Sequence, residues 1–187
     1  GVEDCILRGM YLFKAAPSYG KDELRVQLLG SGTILREAIA ASSLLAEDFG
    51  VAADVWSVTS FTELRRQGLE VQRWNLLHPD KEPRVCYVTD CLTDRKGPVI
   101  AATDYVKIYA DQIRFGVPQP YYVLGTDGFG RSDTRKQLRK FFEVDRYYIA
   151  VTALKGLAEM GQLPVSKVTE AIKKYDLEVN KPNPMTV

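Results

Sequence analysis

A chain of 187 residues that is 45 % apolar, 26 % charged and 10 % aromatic has the composition of an ordinary globular domain, which excludes the disordered and fibrous classes. Its 25 basic and 24 acidic residues leave a formal charge of +1, which argues against a polybasic nucleic-acid binder. Three cysteines and one histidine, with no CxxC pair, fall short of a zinc ligand set and read as reduced thiols of a cytoplasmic protein.

Taken in chain order, Cys5 to Phe13 predicts a strand, and Ala15 to Glu23, with Pro17 and Gly20, the loop after it. Arg25 to Leu29 predicts a second strand, running through Gly30-Ser31-Gly32 into a helix whose Ile34, Ala38, Leu45 and Phe49 share one face. Ala53 to Val58 is the next apolar run. Ser60 with Glu63 three residues on marks the start of a short helix that Gly68 is expected to stop. Residues 69 to 97, with Pro79, Pro83 and Gly97, break the rhythm and read as an excursion holding an extra strand at Val85 to Val88. Pro98 to Thr103 predicts a buried strand. Tyr105 to Phe115 then predicts a helix with Tyr105, Tyr109 and Ile113 on one face and Lys107, Asp111 and Arg114 on the other.

Tyr121 to Leu124 is the last predicted strand, and it empties into an unusual loop, Gly125 to Asp133. Thr134 and Gln137 cap a short helix after it. Asp145 to Met160 is apolar on nearly every side and predicts a buried helix ended by Gly161. Val165 to Tyr175 predicts a final helix with Val168 and Ile172 facing in, before a polar tail from Asn180 to Val187. Strands alternating with helices imply one domain over residues 1–187, built on a largely parallel sheet covered on both faces. No apolar run approaches the ~18 residues that cross a bilayer, so no membrane partner is expected. The opening Gly-Val-Glu-Asp-Cys, without an initiator methionine, reads as a piece of something longer.

Two loops invite a functional reading. Gly30, Ser31 and Gly32 sit between strand and helix, where a dinucleotide fold holds its pyrophosphate. The fingerprint fails, because its third glycine would be Leu35 and no acidic residue ends the next strand; a tight turn is the plain reading and a small-anion site the functional one. In the other loop, Gly125, Thr126, Asp127, Gly128, Phe129, Gly130, Arg131, Ser132 and Asp133 combine three glycines, an apolar plug and three charges. They lie outside the carboxyl ends of the strands. A Phe flanked by glycines gains most when buried against a partner, so this loop is expected to dock onto another domain or subunit, the alternatives being a plain turn before a capped helix and a part in catalysis. His78, the only histidine, sits in an apolar stretch and reads as structural.

Val26-Gln27-Leu28-Leu29-Gly30-Ser31-Gly32, Asp54-Val55-Trp56-Ser57-Val58-Thr59-Ser60-Phe61, Arg73-Trp74-Asn75-Leu76-Leu77-His78-Pro79, Ala102-Thr103-Asp104-Tyr105 and the segment from Leu124 to Asp133 carry a resemblance over nearly the whole chain. It resembles the C-terminal domain of the homodimeric bacterial pyruvate dehydrogenase decarboxylating component, and the glycine-rich segment is shared more loosely with transketolases. The resemblance implies a three-layer α/β/α, transketolase C-terminal domain-like fold, with a five-stranded mixed, mostly parallel sheet whose first strand is antiparallel. It implies a third domain of a parent enzyme that uses thiamine diphosphate and magnesium to decarboxylate pyruvate and passes acetyl to the lipoyl group of an acetyltransferase partner. The preceding domains and the homodimer partner hold that cofactor in the family. This chain lacks the Gly-Asp-Gly…Asn signature, approximated only by Thr126-Asp127-Gly128 with no Asn before Asn180. No catalytic, cofactor or metal residue carries across, so the chain alone is expected to bind neither and to be inactive, as an assembly domain. The alternative is a small-anion-binding regulatory module of the same fold.

Overall fold

The computed structural model describes residues 1–17, 20 and 23–187. Five strands form one sheet: β1 (Met10–Lys14), β2 (Arg25–Ser31), β3 (Ala52–Val58), β4 (Val99–Ala102) and β5 (Tyr121–Leu124), in the order β1-β3-β2-β4-β5. β1 runs antiparallel to β3, with its register slipping between Leu12 and Lys14, and the other neighbours are parallel. β2 and β3 are buried along nearly their whole length because helices cover the sheet on both faces, leaving no solvent side to demand alternation.

On one face, Val26, Leu28, Val55 and Ile100 pack against α2 (Leu35–Phe49), α7 (Arg146–Glu159) and α8 (Val165–Lys174). On the other, Leu29, Trp56 and Val99 meet α3 (Phe61–Leu77), α4 (Tyr87–Leu92) and α5 (Lys107–Asp111). Each fully buried Leu or Ile contributes ~1.5 to 3 kcal/mol. The second face also buries a polar chain: Trp56 Nε1 donates to Gln27 Oε1 at 2.9 Å, and Gln27 Nε2 donates to Asp54 Oδ2 at 3.1 Å. α1 (Glu3–Arg8) precedes β1, and α6 (Arg135–Phe141) follows the long loop. The three-layer mixed-sheet architecture agrees with the expectation.

Local departures have physical reasons. The run Cys5 to Phe13 is not one strand: Glu3 and Asp4 suit a helix start, Arg8 its last turn, and Gly9 at φ 107° caps α1 before β1 begins. Gly68 does not stop α3. An added Cβ there would lie 2.3 Å from Phe115 Cζ, so the glycine admits a ring, and the helix continues until His78-Pro79 ends it. Val85 to Val88 forms no strand, and Tyr87 instead opens α4, its hydroxyl donating to Met10 O at 3.0 Å. A four-residue apolar run carries no period that separates the two.

The helix predicted from Tyr105 to Phe115 shortens to α5 plus a 3-10 turn at Arg114–Gly116. Ala110 and Ile113 set its inward face, while Tyr105 and Tyr109 are exposed. In α8 the fully buried residue is Ala171, with Val168 partly buried beside it and Ile172 at the margin. Ser60 accepts from Glu63 N as predicted, and Asp145 caps α7 through Tyr147 N and Tyr148 N. Within the loop Ala15 to Glu23, residues 18, 19, 21 and 22 lie outside the described residues.

Candidate functional site

The chain leaves β2 for β3 on one side and returns for β4 on the other, so the carboxyl ends of β2 and β4 form the sheet's topological switch point. Both loops singled out from the sequence meet there, around a cavity of about 600 Å³ lined in part by Thr33, Asp104, Thr126, Gly128, Gly130 and Arg131.

Gly30 is required by packing. A Cβ would fall 2.6 Å from Leu35 Cα and 3.2 Å from Ala38 Cβ, so glycine lets α2 lie close on the sheet. Ser31 ends β2 in extended backbone, and Gly32 takes φ 55°. The turn faces a carboxylate: Thr33 Oγ1 donates to Asp104 Oδ2 at 3.0 Å, and Asp104 Oδ1 would be 3.3 Å from a Cβ on Gly32. A negative charge occupies the place an anion would take, which opposes the small-anion reading of this turn. Asp104 at the end of β4 is the site residue that the glycine pattern does not reveal.

The Gly125 to Asp133 loop divides into two halves. Its first half is stitched into the domain: Thr126 N donates to Tyr105 O at 2.9 Å, Thr126 Oγ1 to Asp104 O at 2.8 Å, and Asp127 Oδ2 accepts from Lys107 N at 3.1 Å. Gly125 is buried against Tyr105 O and Lys107 N. Gly128, at φ 115°, leaves room for Pro184 O of the tail, 2.3 Å from where a Cβ would stand. The second half is open. Phe129 is 77 % exposed, Gly130 would offer a Cβ nothing within 4 Å, Arg131 lies over the Phe141 ring at 4.3 Å, and Ser132 is exposed. Asp133 Oδ1 accepts from Thr134 N at 2.6 Å at the start of α6.

Beside this crevice lies an ion cluster that the sequence reading missed. Glu37 of α2, 5 % exposed, accepts from Arg139 Nη1 at 2.8 Å and from Arg146 Nε at 2.9 Å and backbone N at 3.1 Å. Burial alone raises the Glu37 pKa, but the Arg146 hydrogen bonds and the two guanidinium charges overcome it and hold the carboxyl below its ordinary 4.5. Its partners lie 102 and 109 residues away, so no local spacing signals it. A depressed carboxylate stabilises the fold above its unfolded pKa and loses that contribution as pH falls through the folded value. Glu37→Gln is expected to cost ~2 kcal/mol at pH 7, less than a fully buried pair because Arg146 reaches water. The gap from wild type should close below pH 4.5, as followed by urea denaturation at several pH values. A gap that persists undiminished at pH 3 would refute the electrostatic account.

His78 stacks on Trp74 at 4.4 Å between centroids, with Nδ1 2.8 Å from Trp74 O, a structural role. Cys5, Cys86 and Cys91 are free. The residues present do not fit thiamine diphosphate with magnesium: the Asp127 carboxylate is engaged by Lys107 N, and no group of three His, Cys, Asp or Glu side chains suited to a metal occurs among the described residues. No described helix is long and apolar enough to cross a membrane.

Residues 9–145 match the family pattern described as the transketolase-like TK C-terminal domain. The chain is 58 % identical to the pyruvate dehydrogenase E1 component of Cupriavidus necator over 187 residues, all of this chain and 21 % of that protein. It is 56 % identical to the same component of Pseudomonas aeruginosa and 49 % to that of Escherichia coli K12, covering 99 % and 98 % of this chain and 21 % and 20 % of theirs. The chain thus spans about a fifth of the length of the curated relatives it matches. Among solved structures, a Pichia stipitis transketolase variant in complex with fructose 6-phosphate superposes with a TM-score of 0.55 at 17 % identity, over 86 % of this chain and 19 % of that one. That likeness bears on the fold alone. With a family pattern covering most of the sequence, the chain belongs to the transketolase-like C-terminal domain family.

Proposed function

We propose that this chain is the third, C-terminal assembly domain of a cytoplasmic bacterial pyruvate dehydrogenase decarboxylating component. In this reading the parent enzyme uses thiamine diphosphate and magnesium to decarboxylate pyruvate oxidatively and transfers acetyl to the lipoyl group of its acetyltransferase partner. The supporting similarity is 58 % identity along all 187 residues to a protein about five times as long.

The observation that carries the assembly role is the two-part loop: a base fastened by Thr126 and Asp127, presenting Phe129 77 % exposed at its apex. Holding an aromatic ring in water wastes the apolar area that burial would recover at ~25 cal/mol per Å². Tyr105, Ile108 and Tyr109, also exposed, lie at the same end of the sheet and extend the apolar area. The preceding domains of the same polypeptide and the homodimer partner are the surfaces such a patch meets.

Calorimetry tests the division of labour. Thiamine diphosphate with magnesium is expected to give no heat on the 187-residue chain, while the full-length polypeptide binds it and turns over pyruvate. Cofactor binding with turnover by the short chain alone would overturn the assembly reading.

A further inference from the structure

A second cleft, which shares Arg135 and Arg139 with the switch-point crevice, lies between α2, α6, the start of α7 and the turn after α8, with a volume of about 890 Å³. Six cations line it: Arg135, Lys136, Arg139, Lys140, Arg146 and Lys174. Four carboxylates share the lining, and three are already engaged. Glu37 serves two guanidinium groups at once, which leaves a positive charge over. Asp48 accepts from Lys174 Nζ at 2.7 Å and Tyr175 OH at 2.8 Å, and Asp145 caps α7. The fourth, Asp176, makes no ion pair among the described residues, and neither do Arg135, Lys136 and Lys140.

In a chain whose total charge is only +1, this is a local concentration of positive charge in a concave place, where low-dielectric walls focus the field. The volume lies within the range of small-molecule sites, ~300 to 1,000 Å³. A single carboxylate ligand would satisfy one cation and leave the others facing each other. Several oxyanions held close together would engage Arg135, Lys136 and Lys140 jointly and use the planar donors of the guanidinium groups. An extended nucleic acid needs a long basic stripe, which a chain of near-neutral total charge does not favour. Tyr147 and Tyr175, with ring centroids 5.1 Å apart, form one wall.

From this geometry we infer that the cleft binds a small molecule carrying a di- or triphosphate group, held by Arg135, Lys136 and Lys140 over a floor made rigid by the Glu37 ion cluster. The cleft adjoins the crevice of the assembly loop, Arg135 and Arg139 lining both, and the inference does not rest on the assembly role.

The test titrates inorganic triphosphate into the full-length polypeptide at low ionic strength, followed by calorimetry, for wild type and for the double variant Lys136→Gln, Lys140→Gln. Both lysines are exposed, so the variant should unfold at the wild-type temperature. Removing two charge-assisted contacts should weaken triphosphate more than about tenfold, and added salt should weaken wild-type binding. Absence of binding at about millimolar triphosphate, or binding that the double variant leaves intact, overturns the inference. So does tighter binding of hexaglutamate than of triphosphate, which would assign the cleft to an acidic protein segment.

Discussion

Phe129→Ala is expected to weaken assembly of the full-length polypeptide while leaving the isolated 187-residue chain almost untouched. The ring is 77 % exposed here, so in the short chain its truncation removes little packing and should cost under ~1 kcal/mol. Buried against another domain or subunit, the same ring contributes ~3 to 5 kcal/mol. A loss of 3 kcal/mol at a subunit contact is about a hundredfold in the dimer dissociation constant. Cofactor affinity should then fall only as the dimer comes apart, because its ligands lie in other domains in this reading. Unfolding midpoints of the short and the full-length chains, with sedimentation of the full-length protein, decide the matter. An equal loss in both places Phe129 in this domain's own core. An unchanged dimer with abolished turnover places the loop in the chemistry.

Gly30→Ala should destabilise the isolated chain by ~3 kcal/mol, lowering the unfolding midpoint by ~6 to 12 °C. The new methyl group would stand 2.6 Å from Leu35 Cα, a backbone atom at the start of α2 that cannot swing aside as a side-chain tip does. Relief requires the whole helix to lift from β2, opening the layer that contains Val26 and Leu28. Gly130→Ala, where a Cβ meets nothing within 4 Å, is the control and should change little. If Gly30 instead serves an anion, phosphate should raise the wild-type midpoint and leave the variant's unmoved. If the loss is under 1 kcal/mol, α2 is less firmly seated than its buried Ala38, Ala41 and Leu45 imply.

The strands of the parallel layer were legible because β2, β3 and β4 are covered on both faces and so carry apolar residues on both, interrupted by Gln27 in β2 and by Asp54 and Ser57 in β3. The start of α1 was not, because its helical signals are only a pair of acids and Gly9 within a short stretch equally apolar as a strand. Gly68 misled for the opposite reason: glycine in a helix reads as a stop, and only the distant Phe115 shows that it makes room for a ring. The two glycine-rich segments were visible one by one, since turn chemistry is local. Their convergence at one crevice follows from strand order, and the Glu37 cluster from contacts over a hundred residues apart, neither of which spacing encodes.

The sheet's two rims constrain how copies of this domain can associate. On one rim β5 has only four residues and is entered through Pro118 and Pro120; on the other, β1 slips register after Leu12 and leads to Pro17. Proline offers no N–H to a new neighbour, and a slipped, short strand gives few in-register partners, so neither rim is a template on which a further strand adds. Neighbouring molecules must therefore meet this domain through the tips of its loops and the flanks of its helices, and a continuous sheet running from one molecule into the next is disfavoured from both sides.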